Sequence, residues 1–156
     1  MIRLEIPGYG DWEIRNLLLD YNGTLAVGGY AAAGVREMIG TLAKQVDVYV
    51  ITADTFGSVQ AELIGEPLKV IRISGKDERD EKLGFVRQLG PQQTLAIGNG
   101  NNDALMLRES AIGIAVMGRE GCAKSALDNA DLVVGDILSA LEMLIYPDRL
   151  KATLRY

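Results

Sequence analysis

Hydrophobic and polar residues alternate along the first segment of the chain. Apolar side chains occupy every second position in residues 2–6 and again in residues 12–14, and the stretch "PGYGD" separates the two runs. A period of two, interrupted by proline and glycine, predicts two strands joined by a turn. From Leu17 the pattern becomes a continuous apolar run that ends at Asp20, as expected for a strand covered on both faces.

Beyond residue 20, strand-like and helix-like patterns follow one another. Predicted helices cover residues 31–45, 55–65, 77–89, 101–110, 121–130 and a last region interrupted at Pro147; predicted strands cover 46–54, 68–73, 94–100, 111–118 and 131–134. Such alternation predicts an α/β fold, a doubly wound, mostly parallel sheet of the Rossmann-like type with helices on both faces. We expect a single domain over residues 1–156, with the N-terminal β-hairpin as an addition. In the helix 77–89 we expect Phe85, Val86 and Leu89 to be buried.

Composition narrows the class of protein. The chain has 156 residues, of which 48% are hydrophobic, so it is long enough for one sizeable core. No apolar run reaches the roughly 18 residues that a transmembrane helix needs, and the alternating start is unlike a signal peptide. We therefore expect a cytoplasmic protein with no membrane partner.

Charge and rare residues exclude several chemistries. The net charge is −5 and no basic stripe is present, which argues against nucleic acid as a partner. Cys122 is the only cysteine, and we interpret it as a small buried side chain in the helix 121–130. Histidine is absent, which rules out Ser-His-Asp and Cys-His catalysis and histidine-bound zinc.

Polar residues follow the predicted strands at the points where those strands end. In an open parallel sheet, ligands bind outside the carboxyl ends of the strands, so these residues are candidates for a site. Taken singly, each has a local explanation as a turn residue, a helix cap or a solvated surface charge. The set consists of Asp20, Thr52, Asn99, Asn102, Asp103 and a lysine, best placed at Lys82 with Lys76 as the weaker candidate.

Together these residues match phosphoryl transfer through an aspartyl-phosphate. A carboxylate nucleophile divides one difficult displacement into two easier ones. Mg²⁺ prefers oxygen ligands and shields the phosphate charge from the attacking carboxylate. A hydroxyl and backbone N–H groups can hold the equatorial oxygens while a lysine offsets their charge. Gly23 allows the backbone to approach the phosphate closely.

Four segments resemble, in the correct order, the motifs of the haloacid dehalogenase-like superfamily. "DYNGT" (20–24) resembles the first motif, "ITAD" (51–54) the second, "EKLGFVRQLG" (81–90) the third and "AIGNGNNDALML" (96–107) the fourth. The fourth is similar to the Gly-Asp-Gly-x-Asn-Asp signature of P-type ATPases. The resemblance covers residues 17–134 and points to the small, capless "soluble P-type ATPase"-like phosphatases.

The resemblance implies a role for each matching residue. Asp20 would be the nucleophile and a Mg²⁺ ligand, and the backbone carbonyl of Asn22 a second ligand. Thr52 would bind the phosphoryl group and Lys82 would offset its charge. The remaining assignments are Asn99 and Asp103 to the metal and Gly23, Thr24 and Ala53 to cofactor binding.

Two amides depart from the usual pattern of the superfamily. In typical members the position of Asn22 is an aspartate that protonates the leaving group and later activates water, which an amide cannot do. The position of Asn99 is usually a metal-binding aspartate. Both losses should weaken Mg²⁺ binding and slow turnover, or restrict it to good leaving groups such as acyl or aryl phosphates. A degenerate, weakly active or inactive site is the alternative.

The spacing of the motifs leaves no room for a cap domain, so we expect an exposed cleft. Its substrate would be a phosphorylated small molecule or an exposed phosphoryl group on a larger molecule, and a homo-oligomer could close it. The rival function is a phosphate- or nucleotide-sensing module that no longer turns over. A signalling receiver would carry its aspartate in mid-chain, and "GNGNND" lacks the third spaced glycine of a dinucleotide site.

Overall fold

The computed structural model describes residues 1–54 and 57–156. At the N-terminus, β1 (Ile2–Ile6) and β2 (Gly10–Ile14) form an antiparallel hairpin in which Ile2 pairs with Ile14. Alternate residues of β1 are buried, because the hairpin packs one face on the core and leaves the other to solvent. The predicted N-terminal hairpin is thus present.

A six-stranded parallel sheet forms the centre of the molecule. Its strands are β3 (Asn16–Asp20), β6 (Asp47–Thr52), β7 (Lys69–Arg72), β8 (Thr94–Gly98), β9 (Ile112–Val116) and β10 (Leu132–Val134). They lie in the order β10-β9-β8-β3-β6-β7, and every neighbouring pair is parallel. All residues of β3, β8 and β9 are buried, as the continuous apolar runs predict. The α/β fold class is confirmed.

Helices cover the two faces of the sheet. They are α1 (Val35–Leu42), α2 (Ser58–Glu62), α3 (Glu78–Leu89), α4 (Ala104–Glu109), α5 (Lys124–Asn129), α6 (Ile137–Ile145) and α7 (Pro147–Leu154). One core cluster includes Leu17 and Leu19 of β3 with residues of α1 and α6, and the other includes Leu18 with residues of α3, α4 and α5. Successive residues of β3 therefore serve opposite faces.

Several predicted boundaries differ from the structure. The helix predicted over 31–45 begins only at Val35, because a short ribbon of β4 (Ala26–Val27) and β5 (Tyr30–Ala31) precedes it. Part of the helix predicted over 55–65 lies outside the described residues. Cys122 precedes α5 and is half-buried, so its interpretation as a buried helical residue is wrong.

Helix α3 buries different residues from those predicted. Its buried positions are Lys82 and Val86, whereas Phe85 and Leu89 are only half-buried. A lysine therefore occupies a position of the buried stripe at which an apolar side chain is the rule.

The described residues contain no inserted cap domain. Between Thr24 and Val46 lie α1, which the spacing predicted, and the β4–β5 ribbon, which it did not. In the parts of the chain that the structure describes, no helix has the length and apolar character that crossing a membrane requires.

The register of the sheet places the first motif between two others. Asp20 at the end of β3 pairs with Ile51 of β6, one residue before Thr52. On the other side, Leu19 pairs with Ile97 of β8, so Gly98 and the loop after it lie beside Asp20. The topology therefore brings the ends of β3, β6 and β8 together at one edge.

A substitution of Gly113 in β9 tests how closely α4 packs against this sheet. A Cβ there would lie 2.4 Å from the backbone oxygen of Leu107, so Gly113→Ala should displace α4 and lower the free energy of unfolding by about 1–3 kcal/mol. Gly84→Ala on α3 is the control, since no atom lies within 4 Å of its added methyl group. It should raise stability by about 0.5–1 kcal/mol. Thermal and urea unfolding measure both, and equal effects would contradict the packing.

Candidate active site

A cleft of about 420 Å³ opens at the carboxyl ends of the central strands. It is shallow and predominantly polar, as expected for a site that takes a charged group rather than an apolar ligand. Its lining combines the loops after β3, β6 and β8 with the first turns of α3. The lining residues are Asp20, Asn22, Thr52, Ala53, Asp54, Glu78, Lys82, Asn99, Gly100 and Asn102.

Asp20 lies at the floor of the cleft with only 7% of its surface exposed. Its Oδ1 accepts a hydrogen bond from Lys82 Nζ at 2.6 Å, and its Oδ2 accepts one from Thr24 Oγ1 at 3.1 Å. Burial and the nearby charge of Asp103 raise the pKa of Asp20 to about 7, against the lowering effect of Lys82. The carboxylate is thus fixed in orientation yet faces the open cleft.

Lys82 links two carboxylates beneath the cleft. It is 1% exposed, and its ammonium lies 2.6 Å from Asp20 Oδ1 and 2.6 Å from Asp103 Oδ1. Burial by itself would lower the pKa of Lys82, but the two carboxylates outweigh burial and hold that pKa above its ordinary value. The lysine is therefore a permanent cation at the floor of the site. Lys76, the weaker candidate, is exposed on the loop before α3.

Asp103 organises the loop after β8. Its Oδ2 accepts the backbone N–H groups of Asn99 and Gly100 at 2.9 and 2.8 Å, while its Oδ1 accepts from Lys82. The side chain is fully buried and does not line the cleft. Both of its oxygens accept hydrogen bonds, as those of Asp20 do, and the role of Asp103 as a metal ligand stays a prediction. In this structure Asp103 holds Lys82 and the loop in place.

Asn99 and the first-motif loop are in close contact. Asn99 Oδ1 accepts from Thr24 Oγ1 at 3.1 Å, and Asn99 Nδ2 donates to the carbonyl oxygen of Gly121 at 3.1 Å. Gly23 has a positive φ of 78°, and a Cβ there would lie 2.5 Å from the Asn99 amide nitrogen. Only glycine allows both this turn and this approach. Asn22 is exposed and lines the cleft.

The second-motif loop forms the opposite wall of the cleft. Thr52 is 3% exposed, and its Oγ1 accepts the backbone N–H of Asp54 at 3.0 Å. Ala53 lies between them and lines the cleft. The structure thus brings Asp20, Asn22, Thr52 and Lys82 to one cleft with Asn99. Thr24 contributes through its bonds to Asp20 and Asn99.

Sequence reasoning missed Glu78 and assigned no role to Asn102, although both line the cleft. Glu78 Oε2 accepts a hydrogen bond from Asn102 Nδ2. A signal for Glu78 was present, since residues four apart on a helix share a face and Glu78 precedes Lys82 by four. Within an acidic, mostly exposed first turn, however, Glu78 looked like any other solvated carboxylate.

The oxygen atoms at the cleft suit a hard divalent cation. The Asp20 carboxylate, the backbone carbonyl of Asn22 and the amide oxygen of Asn99 are the donor types that Mg²⁺ prefers. Among the described residues, no cluster of three or more acidic, cysteine or histidine side chains is placed to hold a metal. The donor set therefore fits Mg²⁺ with less negative charge than an all-carboxylate site supplies.

Comparison with known proteins places these motifs in context. No protein-family model matches the chain. The uncharacterized protein MJ0073 of Methanocaldococcus jannaschii is 40% identical over 92 residues, which are 56% of this chain and 99% of that protein.

Solved structures share the fold. 3-Deoxy-D-manno-octulosonate 8-phosphate phosphatase from Moraxella catarrhalis, in complex with magnesium and phosphate ions, has a TM-score of 0.62 at 20% identity, covering 91% of this chain and 94% of its own. A phospho-aspartyl intermediate analogue of phosphoserine phosphatase has a TM-score of 0.61 at 15% identity, covering 86% and 99%. A zinc-transporting PIB-type ATPase in its E2.Pi state has a TM-score of 0.57 at 26% identity, covering 79% of this chain and 20% of that transporter. The chain has the haloacid dehalogenase-type fold.

Lys82→Met should destabilise the protein strongly at neutral pH, because it leaves two buried carboxylates without their cation. We expect a loss of about 3–5 kcal/mol in the free energy of unfolding at pH 7. Lys76→Met, which removes an exposed charge, should change stability by no more than about 0.5 kcal/mol.

The loss should depend on pH in a defined direction. Burial already raises the pKa of Asp20 from 3.8 to about 7, and removing Lys82 takes away an effect that lowers it. A carboxyl group with a raised pKa in the folded state favours folding when protonated, so stability falls as the pH rises from about 4 through 7. The deficit of Lys82→Met should therefore shrink on acidification, measured by urea unfolding at several pH values. A deficit independent of pH would contradict the buried charge cluster.

Proposed function

We propose that this chain, which belongs to one family with MJ0073 and carries the fold and four motifs of the haloacid dehalogenase-like superfamily, is a Mg²⁺-dependent phosphatase or phosphotransferase. It would work through an aspartyl-phosphate on Asp20. The observation that carries the proposal is the Asp20 carboxylate, fixed at the floor of a polar cleft beside a buried lysine. The named phosphatases of the same fold support it.

The first half of the reaction transfers a phosphoryl group to Asp20. Thr52 and the backbone of the loops after β3 and β6 bind the phosphoryl oxygens, and the Lys82 ammonium offsets their charge. A carboxylate oxygen of Asp20 attacks phosphorus, and the leaving group departs with the electron pair of the broken bond. Asp20, the Asn22 carbonyl and Asn99 would hold Mg²⁺, which supplies shielding of the phosphate charge.

Asn22 limits which substrates react well. An amide cannot donate a proton to a departing alkoxide, so substrates whose leaving group is already stable should be favoured. Acyl phosphates and aryl phosphates meet this condition.

Because the cleft is open, we expect it to accept substrates of different sizes. No cap domain covers it within the described residues, so the cleft has room for the phosphoryl group of a small molecule or for one that protrudes from a larger molecule. We propose the exposed phosphoryl group, rather than the carrier, as the recognised feature, because the lining offers polar contacts and few apolar ones.

Asp20→Asn should abolish phosphoenzyme formation and turnover, because the amide is not a nucleophile. The protein is incubated with acetyl phosphate or para-nitrophenyl phosphate, with and without Mg²⁺, and phosphate release and intact mass are followed. We expect Mg²⁺-dependent turnover in the parent and none in the variant. Asp11→Asn, an exposed change on β2, is the control and should retain the parent rate.

The sensing alternative predicts a different result. A parent protein that neither forms the phosphoenzyme nor releases phosphate from either substrate, yet binds phosphate at the cleft, would support a sensor and contradict the enzyme. Turnover that persists in Asp20→Asn would contradict Asp20 as the nucleophile.

Asn22→Asp should speed turnover of substrates with poor leaving groups. The added carboxyl group restores a proton donor and acceptor at the cleft, an effect worth about 10²–10⁴-fold. The gain should be large for an alkyl phosphate and small for acetyl phosphate, whose leaving group needs no proton. Steady-state kinetics on both substrates measure this difference. An equal gain on the two would show that the substitution acts through charge or metal binding instead.

A further inference from the structure

The cleft contains carboxylates that the proposed mechanism has not used. Besides Asp20, the acidic side chains that line it are Asp54 and Glu78. Hydrolysis of an aspartyl-phosphate needs a base to take a proton from the attacking water, and the exposed amide of Asn22 cannot serve. The question is which carboxylate is positioned for that task.

Glu78 lines the same cleft as Asp20 and lies one helical turn before Lys82. It is the first residue of α3 and precedes Lys82 by four residues, so the two side chains share one face about 5–6 Å apart at Cβ. Lys82 extends to Asp20, with 2.6 Å between Nζ and Oδ1. Glu78 therefore lies in the first turn of α3, half-buried, on the face of the helix that carries Lys82.

A second contact fixes the direction of the Glu78 side chain. Its Oε2 accepts a hydrogen bond from Asn102 Nδ2, and Asn102 also lines the cleft. Asn102 directly precedes Asp103, which itself bonds Lys82 at 2.6 Å. The half-buried carboxylate is thus tied to the loop after β8, and within residues 1–54 and 57–156 its other oxygen accepts no side-chain or backbone hydrogen bond.

From this geometry we infer that Glu78 is the general base of the dephosphorylation step; the inference rests on the proposed function. The oxygen of a water molecule bonds to phosphorus, and the bond between phosphorus and the Asp20 oxygen breaks. Its electron pair returns to the Asp20 carboxylate, while the water proton passes to Glu78. Glu78 then releases the proton to solvent, and inorganic phosphate leaves.

Glu78 is better placed than Asp54. The backbone N–H of Asp54 is bonded to the Thr52 hydroxyl at 3.0 Å, which fixes Asp54 to the wall formed by the second motif. Its shorter side chain emerges from a loop rather than from the helix that carries Lys82. Glu78 lies on the same helix and the same face as Lys82, and its carboxylate is oriented by Asn102.

The experiment separates the two halves of the reaction. The Mg²⁺-loaded protein is phosphorylated with acetyl phosphate, the donor is removed, and loss of the phosphoenzyme is followed by intact mass. Glu78→Gln keeps an oxygen that can accept from Asn102 but is a far weaker base. We expect decay at least about 10²-fold slower than in the parent, with an unchanged rate of phosphorylation.

Two further variants control for charge and for the rival residue. Asp80→Asn removes the same charge from the same exposed turn of α3 and should decay at the parent rate. Parental decay in Glu78→Gln, or slow decay in Asp54→Asn instead, would overturn the inference while leaving the proposed function intact. Equal slowing of phosphorylation and decay would also overturn the inference, because it would indicate that Glu78 acts in binding and not in proton transfer. A parent that never becomes phosphorylated would overturn both.

Discussion

The buried contact of one ammonium group with two carboxylates is the interaction on which the site depends. Lys82 Nζ lies 2.6 Å from both Asp20 and Asp103, and all three side chains are almost or fully buried. A buried ion cluster is seldom a net source of stability, because the cost of desolvating the charges offsets their attraction. Replacing the whole cluster with apolar side chains of similar size often leaves a protein as stable, whereas removing one partner alone is costly. Its presence in the core agrees with the role proposed for Asp20.

Much of the fold and of this cluster was predictable from local patterns. Continuous apolar runs mark β3 and β8, and strand–helix alternation then requires parallel strands whose ends meet at one edge. Asp20 and Thr52 end their strands, so their proximity follows from topology. Lys82 is 62 residues from Asp20, and it was preferred to Lys76 because of its spacing to the apolar positions Phe85 and Val86 and its place in the four-motif resemblance.

What the sequence did not reveal depends on side-chain direction. The loop after β8 offers Asn99 and Asp103 as equivalent oxygen donors, yet only the folded chain shows that Asp103 turns inward to bond Lys82 and two backbone N–H groups. The hydrophobic pattern of α3 led to a wrong prediction of burial for a related reason. A buried lysine replaced an apolar residue in the stripe, so the periodicity assigned burial to Phe85 and Leu89 instead.

The two amides and the position of Glu78 together give the site its chemical character. An aspartate at residue 22 would serve both half-reactions, since it adjoins the nucleophile on the same loop. The proposed base, Glu78, lies on the helix of Lys82, which contacts Asp20, and bonds the loop after β8 through Asn102. In the proposed mechanism, proton transfer is thereby separated from the first motif, so phosphorylation and dephosphorylation depend on different elements. On that proposal, a molecule that moved α3 or Asn102 would alter the lifetime of the phosphoenzyme without touching the nucleophile.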